Sequence, residues 1–139
     1  MRTTLIIIES LTFLALAGIH FHWVFGGKFG FDAAVPTNDE GKKMLNPGKK
    51  DSVIVGLGLL MFGLFFLVKG GLIDLYLPAW INHYGGFVIS AIFFLRAMGD
   101  FNYVGFFKKP RATTFSKLDS QFFSPLCLLL ALIGLFLSI

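Results

Sequence analysis

The sequence predicts an all-α integral membrane protein: a four-helix bundle with both termini on the extracytoplasmic side and a long first cytoplasmic loop. Three observations predict it. Of 139 residues, 55% are hydrophobic and only 14% are charged, against about 25% charged in soluble domains. The apolar residues fall into four runs long enough to cross a bilayer. Lys and Arg gather in two of the three connections between those runs. A mean hydropathy of +0.76 is more apolar surface than a chain of this size can hide in its own core, so lipid is the solvent that fits. One domain spanning 1–139 is expected.

A spanning helix needs roughly 17–25 mostly apolar residues. The first candidate is Thr3 to Phe25. Its start resembles a signal peptide, with Arg2, the apolar Leu5 to Leu14 and the small-residue motif Ala15-Leu16-Ala17. Glu9 interrupts that core, and the apolar run continues to Phe25, so a retained helix is expected. The second candidate is Ser52 to Val68, closed by Lys69-Gly70-Gly71. Gly56, Gly58 and Gly63 within it suit close helix packing. The third runs from about His83 to Phe101 and is less apolar, since it carries Arg96 and Asp100. The fourth is Phe122 to Ile139. Ser124-Pro125 suits its start, because proline at the first helical position lacks only an N–H that would be unbonded anyway.

The connections differ in character. Gly26 to Asp51 is long and polar. Lys69 to Asn82 is mostly apolar, with Tyr76 and Trp80, and reads as an amphipathic stretch lying in the interface. Asn102 to Gln121 carries Lys108-Lys109-Pro110-Arg111 and Lys117. The first and third connections share one side and hold nine Lys and Arg, against Arg2 and Lys69 on the other. The positive-inside rule therefore places loops one and three in the cytoplasm, in a multi-pass protein of the cell (inner) membrane. The net charge of +4 sits beside the spans, which points to anionic lipid headgroups as partners and away from nucleic acid. Cys127, the lone cysteine, reads as a small packed hydrophobe.

Ionisable groups inside a membrane are costly and mark function more often than elsewhere. On helix one, Glu9, Leu16, His20 and Trp23 share a face, at spacings of seven, four and three. On helix three, Arg96, Asp100 and Tyr103 share a face, at four and three. His20, His22, Trp23 and Asp32 lie at or just beyond the cytoplasmic end of helix one. Asp119 and Ser124 mark the cytoplasmic start of helix four. Polar groups from three helices thus converge on one membrane end.

Two readings of that convergence stand side by side. In the structural one, Arg96 and Asp100 neutralise each other as an i,i+4 pair. His20 bonds a backbone carbonyl, Trp23 anchors the interface and Asp119 caps helix four. In the functional one, the same groups build a ligand pocket or a catalytic site. At the other end, Glu9 lies ~9 Å inside the membrane at 1.5 Å per residue. A Glu9–Lys69 ion pair is the expectation there, with a proton or cation path through Glu9 as the alternative. No metal site is expected. His20 and His22 point about 200° apart on a helix, and His83 belongs to the opposite membrane face. No phosphate-binding loop, serine elbow or Cys-x-x-Cys is present, and no cofactor is expected.

Several stretches resemble a known family. They are His22-Trp23 with Gly26-Gly27 through Asp32-Ala33-Ala34-Val35-Pro36, the run Leu95-Arg96-Ala97-Met98-Gly99-Asp100-Phe101-Asn102-Tyr103-Val104-Gly105-Phe106-Phe107, and Phe115, Asp119 and Ser124-Pro125-Leu126-Cys127. In these the chain is similar to the small bacterial membrane proteins grouped as domain of unknown function 3995. The resemblance implies a four-helix membrane protein whose signature residues line the cytoplasmic ends of helices one, three and four. It implies no activity.

The leading expectation is a protein that binds or transports a small anionic or amphiphilic ligand at the cytoplasmic end. Arg96 would meet the anion, and His20, Asp100, Tyr103 and Asp119 would order the pocket, because a planar guanidinium can grip two oxygens at once. One alternative is a small intramembrane enzyme with His20 or Asp100 as acid or base. Another is a structural subunit of a larger complex, and a homo-oligomer is compatible with the small-residue helix faces.

Overall fold

A computed structural model describes residues 1–28, 40, 48–99, 105–108 and 114–139. The regular elements of the described residues are all helices, and none of those residues forms a strand. Helix α1 is Arg2–Val24, α2 is Lys49–Lys69, α3 is Ala79–Met98, and α4 is Thr114–Leu118. A π-helical turn, Asp119–Phe123, joins α4 to α5, Ser124–Ser138, so that the last three form one continuous fourth helix.

Three of the four helices are long and apolar enough to cross a membrane: Arg2–Val24, Lys49–Lys69 and Phe115–Ser138. The protein is accordingly a helical membrane protein. Helix α3 has 20 residues, about 30 Å of rise, but Asn82, His83 and Tyr84 near its start and Arg96 near its end dilute its apolar character.

The helix ends differ from expectation for local reasons. Helix α2 begins at Lys49 instead of Ser52. Asp51 reaches back to accept a 2.9 Å hydrogen bond from the Gly48 N–H, one of the donors a helix start leaves unpaired. Helix α3 begins at Ala79, directly after Pro78, which leaves only Gly70–Pro78 between α2 and α3. That connection is non-helical, with Leu72, Leu75 and Tyr76 exposed. Helix α3 stops at Met98 because Gly99 takes φ +84°, a backbone conformation other residues rarely adopt.

The largest correction concerns the fourth helix, which starts eight residues before the expected Phe122. Pro125 lies inside it and not at its start. Proline has no N–H to give and its ring crowds the preceding turn. The widened turn just before it absorbs this, with the Ser124 N–H bonding to the Asp119 carbonyl five residues back.

The helices pack as two antiparallel pairs, α1 with α2 and the fourth helix with α3. In a membrane, small residues let backbones approach. A side chain at Gly63 would meet the Ser10 carbonyl at 3.1 Å and Leu14 at 3.2 Å, and one at Gly56 would meet the Phe21 ring at 3.0 Å. Gly58 faces open space instead and has no such role. The second pair is held by a reciprocal arrangement. Ser90 bonds its own helix at the Gly86 carbonyl (2.8 Å), and Ser138 bonds its own at Gly134 (2.7 Å). Each serine lies against the glycine of the opposite helix. Phe13 joins the pairs. It is fully buried, and its ring lies 5.9, 6.1 and 5.1 Å from those of Phe62, Phe66 and Phe93.

Candidate functional site

At the end where α3 finishes and the fourth helix begins, Asp119 is the organising group. It sits in the π-helical turn and is completely buried. Oδ1 accepts from Arg96 Nη2 at 2.9 Å. Oδ2 accepts the Gly105 N–H at 2.7 Å and lies 3.1 Å from Lys108 Nζ. The Lys108 ammonium also donates to the Gly105 carbonyl (3.0 Å) and to Ser120 Oγ (2.5 Å). Its three N–H bonds are therefore all engaged.

The Gly105–Lys108 turn is pinned from two sides, since the Phe106 N–H also bonds the Ala97 carbonyl at 2.8 Å. Gly105 is required here. It takes φ +89°, and a side chain would run into the Met98 carbonyl and the Gly99 backbone. The π turn has a part in this geometry. A turn of five residues rotates Asp119 away from the register of a regular helix, which lets one carboxylate serve α3 and the Gly105–Lys108 turn together.

Two polar atoms at this end are buried without a partner: Arg96 Nη1 and Ser124 Oγ. Arg96 Nη2 is committed to Asp119, and Nη1 is enclosed, although the side chain as a whole is 33% exposed. Cys127, one turn beyond Ser124, is partly buried and within electrostatic reach of Arg96 and Asp119.

The other expected residues fall into place unevenly. Arg96 and Asp119 are brought together, and Ser124 is buried close by in sequence on the same helix. His20 Nδ1 lies 2.7 Å from the Leu16 carbonyl on its own helix, and its ring packs on Trp23 at 4.8 Å. His22 is exposed, with its ring against Gly27. Among the described residues, no hydrogen bond or ion pair joins either histidine to Arg96 or Asp119. His83, at the start of α3, packs on Tyr84 and Phe87. Asp32, Asp100 and Tyr103 lie outside the described residues. Of the three polar groups expected on one face of helix three, Arg96 is the one among the described residues, in the last turn of α3. Asp119, expected as a cap of helix four, lies inside the fourth helix and pairs with Arg96.

Sequence reasoning missed Gly105, Lys108 and Ser120 as members of the cluster. One signal was available. A carboxylate within an apolar helix needs a cation, and Lys108 is the described basic residue nearest to that helix in the preceding connection.

At the opposite end, Glu9 and Lys69 do not pair. Lys69 Nζ turns to the Asn82 carbonyl at 2.8 Å. The Glu9 side chain points inward, is completely buried, and has no hydrogen-bond partner on either oxygen. The physical reason is depth. Lys69 closes α2 and can reach polar backbone beyond the helix, whereas Glu9 is held between helices by packing on both sides.

Neither a curated protein nor a solved structure matches this chain. A family model described as protein of unknown function (DUF3995) matches residues 13–134. That match covers most of the four helices together with Arg96, Gly105, Lys108 and Asp119, and the chain belongs to the DUF3995 family.

Proposed function

We propose that this protein binds an anionic amphiphile, a phospholipid headgroup in the first instance, at the Arg96–Lys108–Asp119 end of its helices. The carrying observation is the charge and hydrogen-bond balance there. Among the described residues, two cations face one carboxylate, leaving one positive charge, and the enclosed Arg96 Nη1 has no acceptor. A guanidinium fixed by one carboxylate oxygen presents its remaining N–H groups in a set direction, which suits a phosphate or carboxylate oxygen. Ser124 Oγ is a second polar atom without a partner. The Lys and Arg bias of the loops supports a cytoplasmic position for this end, where anionic lipid is abundant. Asp119 positions Arg96 and Lys108 in this reading and does not touch the ligand. Nothing among the described residues favours His20 as an acid or base, since its Nδ1 is directed to its own helix.

The test uses the whole protein in nanodiscs of phosphatidylglycerol or phosphatidylcholine. Wild type should melt at a higher temperature in the anionic lipid, and Arg96→Gln should lose most of that difference. Lipid extracted from purified protein should show the same loss of anionic species. A melting temperature indifferent to headgroup charge, or equal anionic lipid on both variants, would remove the proposal.

A further inference from the structure

The reading above makes no use of Glu9, the most costly group in the molecule. A carboxylate buried without a donor loses several kcal/mol of solvation that nothing returns. Such groups persist inside membrane proteins mainly where they have a job. Glu9 is completely enclosed and both of its oxygens are unpartnered. Its neighbour Ser10 is also fully buried with an unpartnered hydroxyl. Glu9 lies where the two helix pairs meet. A side chain built at Gly134 would touch Glu9 Oε1 at 3.4 Å, Phe66 at 3.4 Å and Ser90 Oγ at 2.6 Å. Gly134 is thus where the fourth helix comes against Glu9, the glycine itself being required by Ser90.

One turn away, toward the Lys69 end, a cavity of about 170 Å³ opens between Arg2, Thr3, Ile6, Phe66, Lys69 and Leu137. Ile6 is one turn before Glu9, Leu137 is one turn after Gly134, and Phe66 borders both spaces. These three apolar side chains form a plug about 4.5 Å deep, three residues of helical rise, between the cavity and the carboxyl.

We propose that Glu9 is a reversible proton-binding site, supplied from the Lys69 end through this cavity and past the Ile6–Phe66–Leu137 plug. A metal cation fits poorly, because Ca²⁺ or Mg²⁺ needs about six or more oxygens. Here Glu9 offers two, and the Ser90 hydroxyl is turned to its own helix. Around the Gly134 position that Glu9 Oε1 approaches stand Phe66 and Ser90, neither of them titratable. The charged groups on its approach are Arg2 and Lys69 at the cavity, each already held by a backbone carbonyl, Leu137 and Asn82 respectively. The reaction is the addition of a proton to the carboxylate and its return to the same side. The proposal is independent of the lipid site, which lies at the other end.

The sequence makes the test clean, because the chain holds only two glutamates, Glu9 and Glu40. Glu40→Gln protein grown on glutamate labelled with carbon-13 at the side-chain carboxyl carries one reporter. Infrared spectra of that full chain in nanodiscs should show a labelled carboxylic acid band that converts to the carboxylate band as bulk pH rises and shifts on transfer to D₂O. Thr3→Trp, at the cavity mouth, should slow that shift severalfold without changing the spectrum reached at the end. A labelled carboxyl that stays in one form across the accessible pH range overturns the proposal. So does one that never exchanges with D₂O, and unchanged exchange in Thr3→Trp overturns the route.

Discussion

Replacing Asp119 with Asn tests the cluster most directly, because the side chain keeps its size and loses its charge. In the native protein one carboxylate holds Arg96 at 2.9 Å, Lys108 at 3.1 Å and the Gly105 N–H at 2.7 Å. Asparagine offers one acceptor oxygen where there were two, and it turns an N–H₂ toward a donor. Hydrogen bonds to charged groups contribute about 1.5–3 kcal/mol each. The Arg96 share is discounted because that side chain is one-third exposed and screened by solvent. Lys108 receives no such discount, as its side chain is 3% exposed, and breaking a buried pair from one side costs about 3–5 kcal/mol. The expected loss is therefore about 3–4 kcal/mol, more than a hundredfold in the unfolding equilibrium at ~1.4 kcal/mol per factor of ten. The assay is unfolding in mixed micelles followed by circular dichroism, with trypsin cleavage after Lys108 as a local readout. Cleavage should accelerate in Asp119→Asn, because the Gly105–Lys108 turn loses its anchor. A stability within about 0.5 kcal/mol of wild type, or an Arg96→Gln variant less stable than Asp119→Asn, would refute the reasoning.

Three further outcomes are expected. Gly63→Leu should separate α1 from α2 and cost about 1–3 kcal/mol through overpacking, since even its first carbon meets the Ser10 carbonyl and Leu14. Gly58→Ala, facing open space on the same helix, should change stability by less than about 0.5 kcal/mol, and equal effects at the two sites would contradict the packing described. Enzymatic reporters fused to either terminus should be active only on the extracytoplasmic side, and a cytoplasmic signal from either one would reverse the orientation inferred from the Lys and Arg bias.

The membrane character, the number of helices and their approximate spans were legible in the sequence, because a bilayer imposes length and apolarity residue by residue. Glu9 and Arg96 stood out as charges inside apolar runs, and Asp119 and Ser124 as polar groups at the expected start of helix four. What could not be read was which partner each would find. Arg96 bonds Asp119, 23 positions away, since antiparallel packing brings the end of α3 beside the π turn. Lys108 looked like one of several basic loop residues, but it is buried against the same carboxylate. Glu9 and Lys69 are opposite in charge and near the same end, and the structure keeps them apart because one faces inward and the other leaves the helix.

Local rules also met their limit at Pro125, which reads as a helix start until the π turn shows how the helix passes through it. The sequence by itself determined that this is a helical membrane protein of the DUF3995 type with isolated polar groups in its spans. Only the tertiary structure decided that Asp119 is saturated, and that Arg96 Nη1 and the Glu9 carboxyl are buried with no partner among the described residues. Pairing between helices depends on rotation and register, which are fixed by contacts such as Gly63 on Ser10 and Gly134 on Ser90, and no single segment contains them.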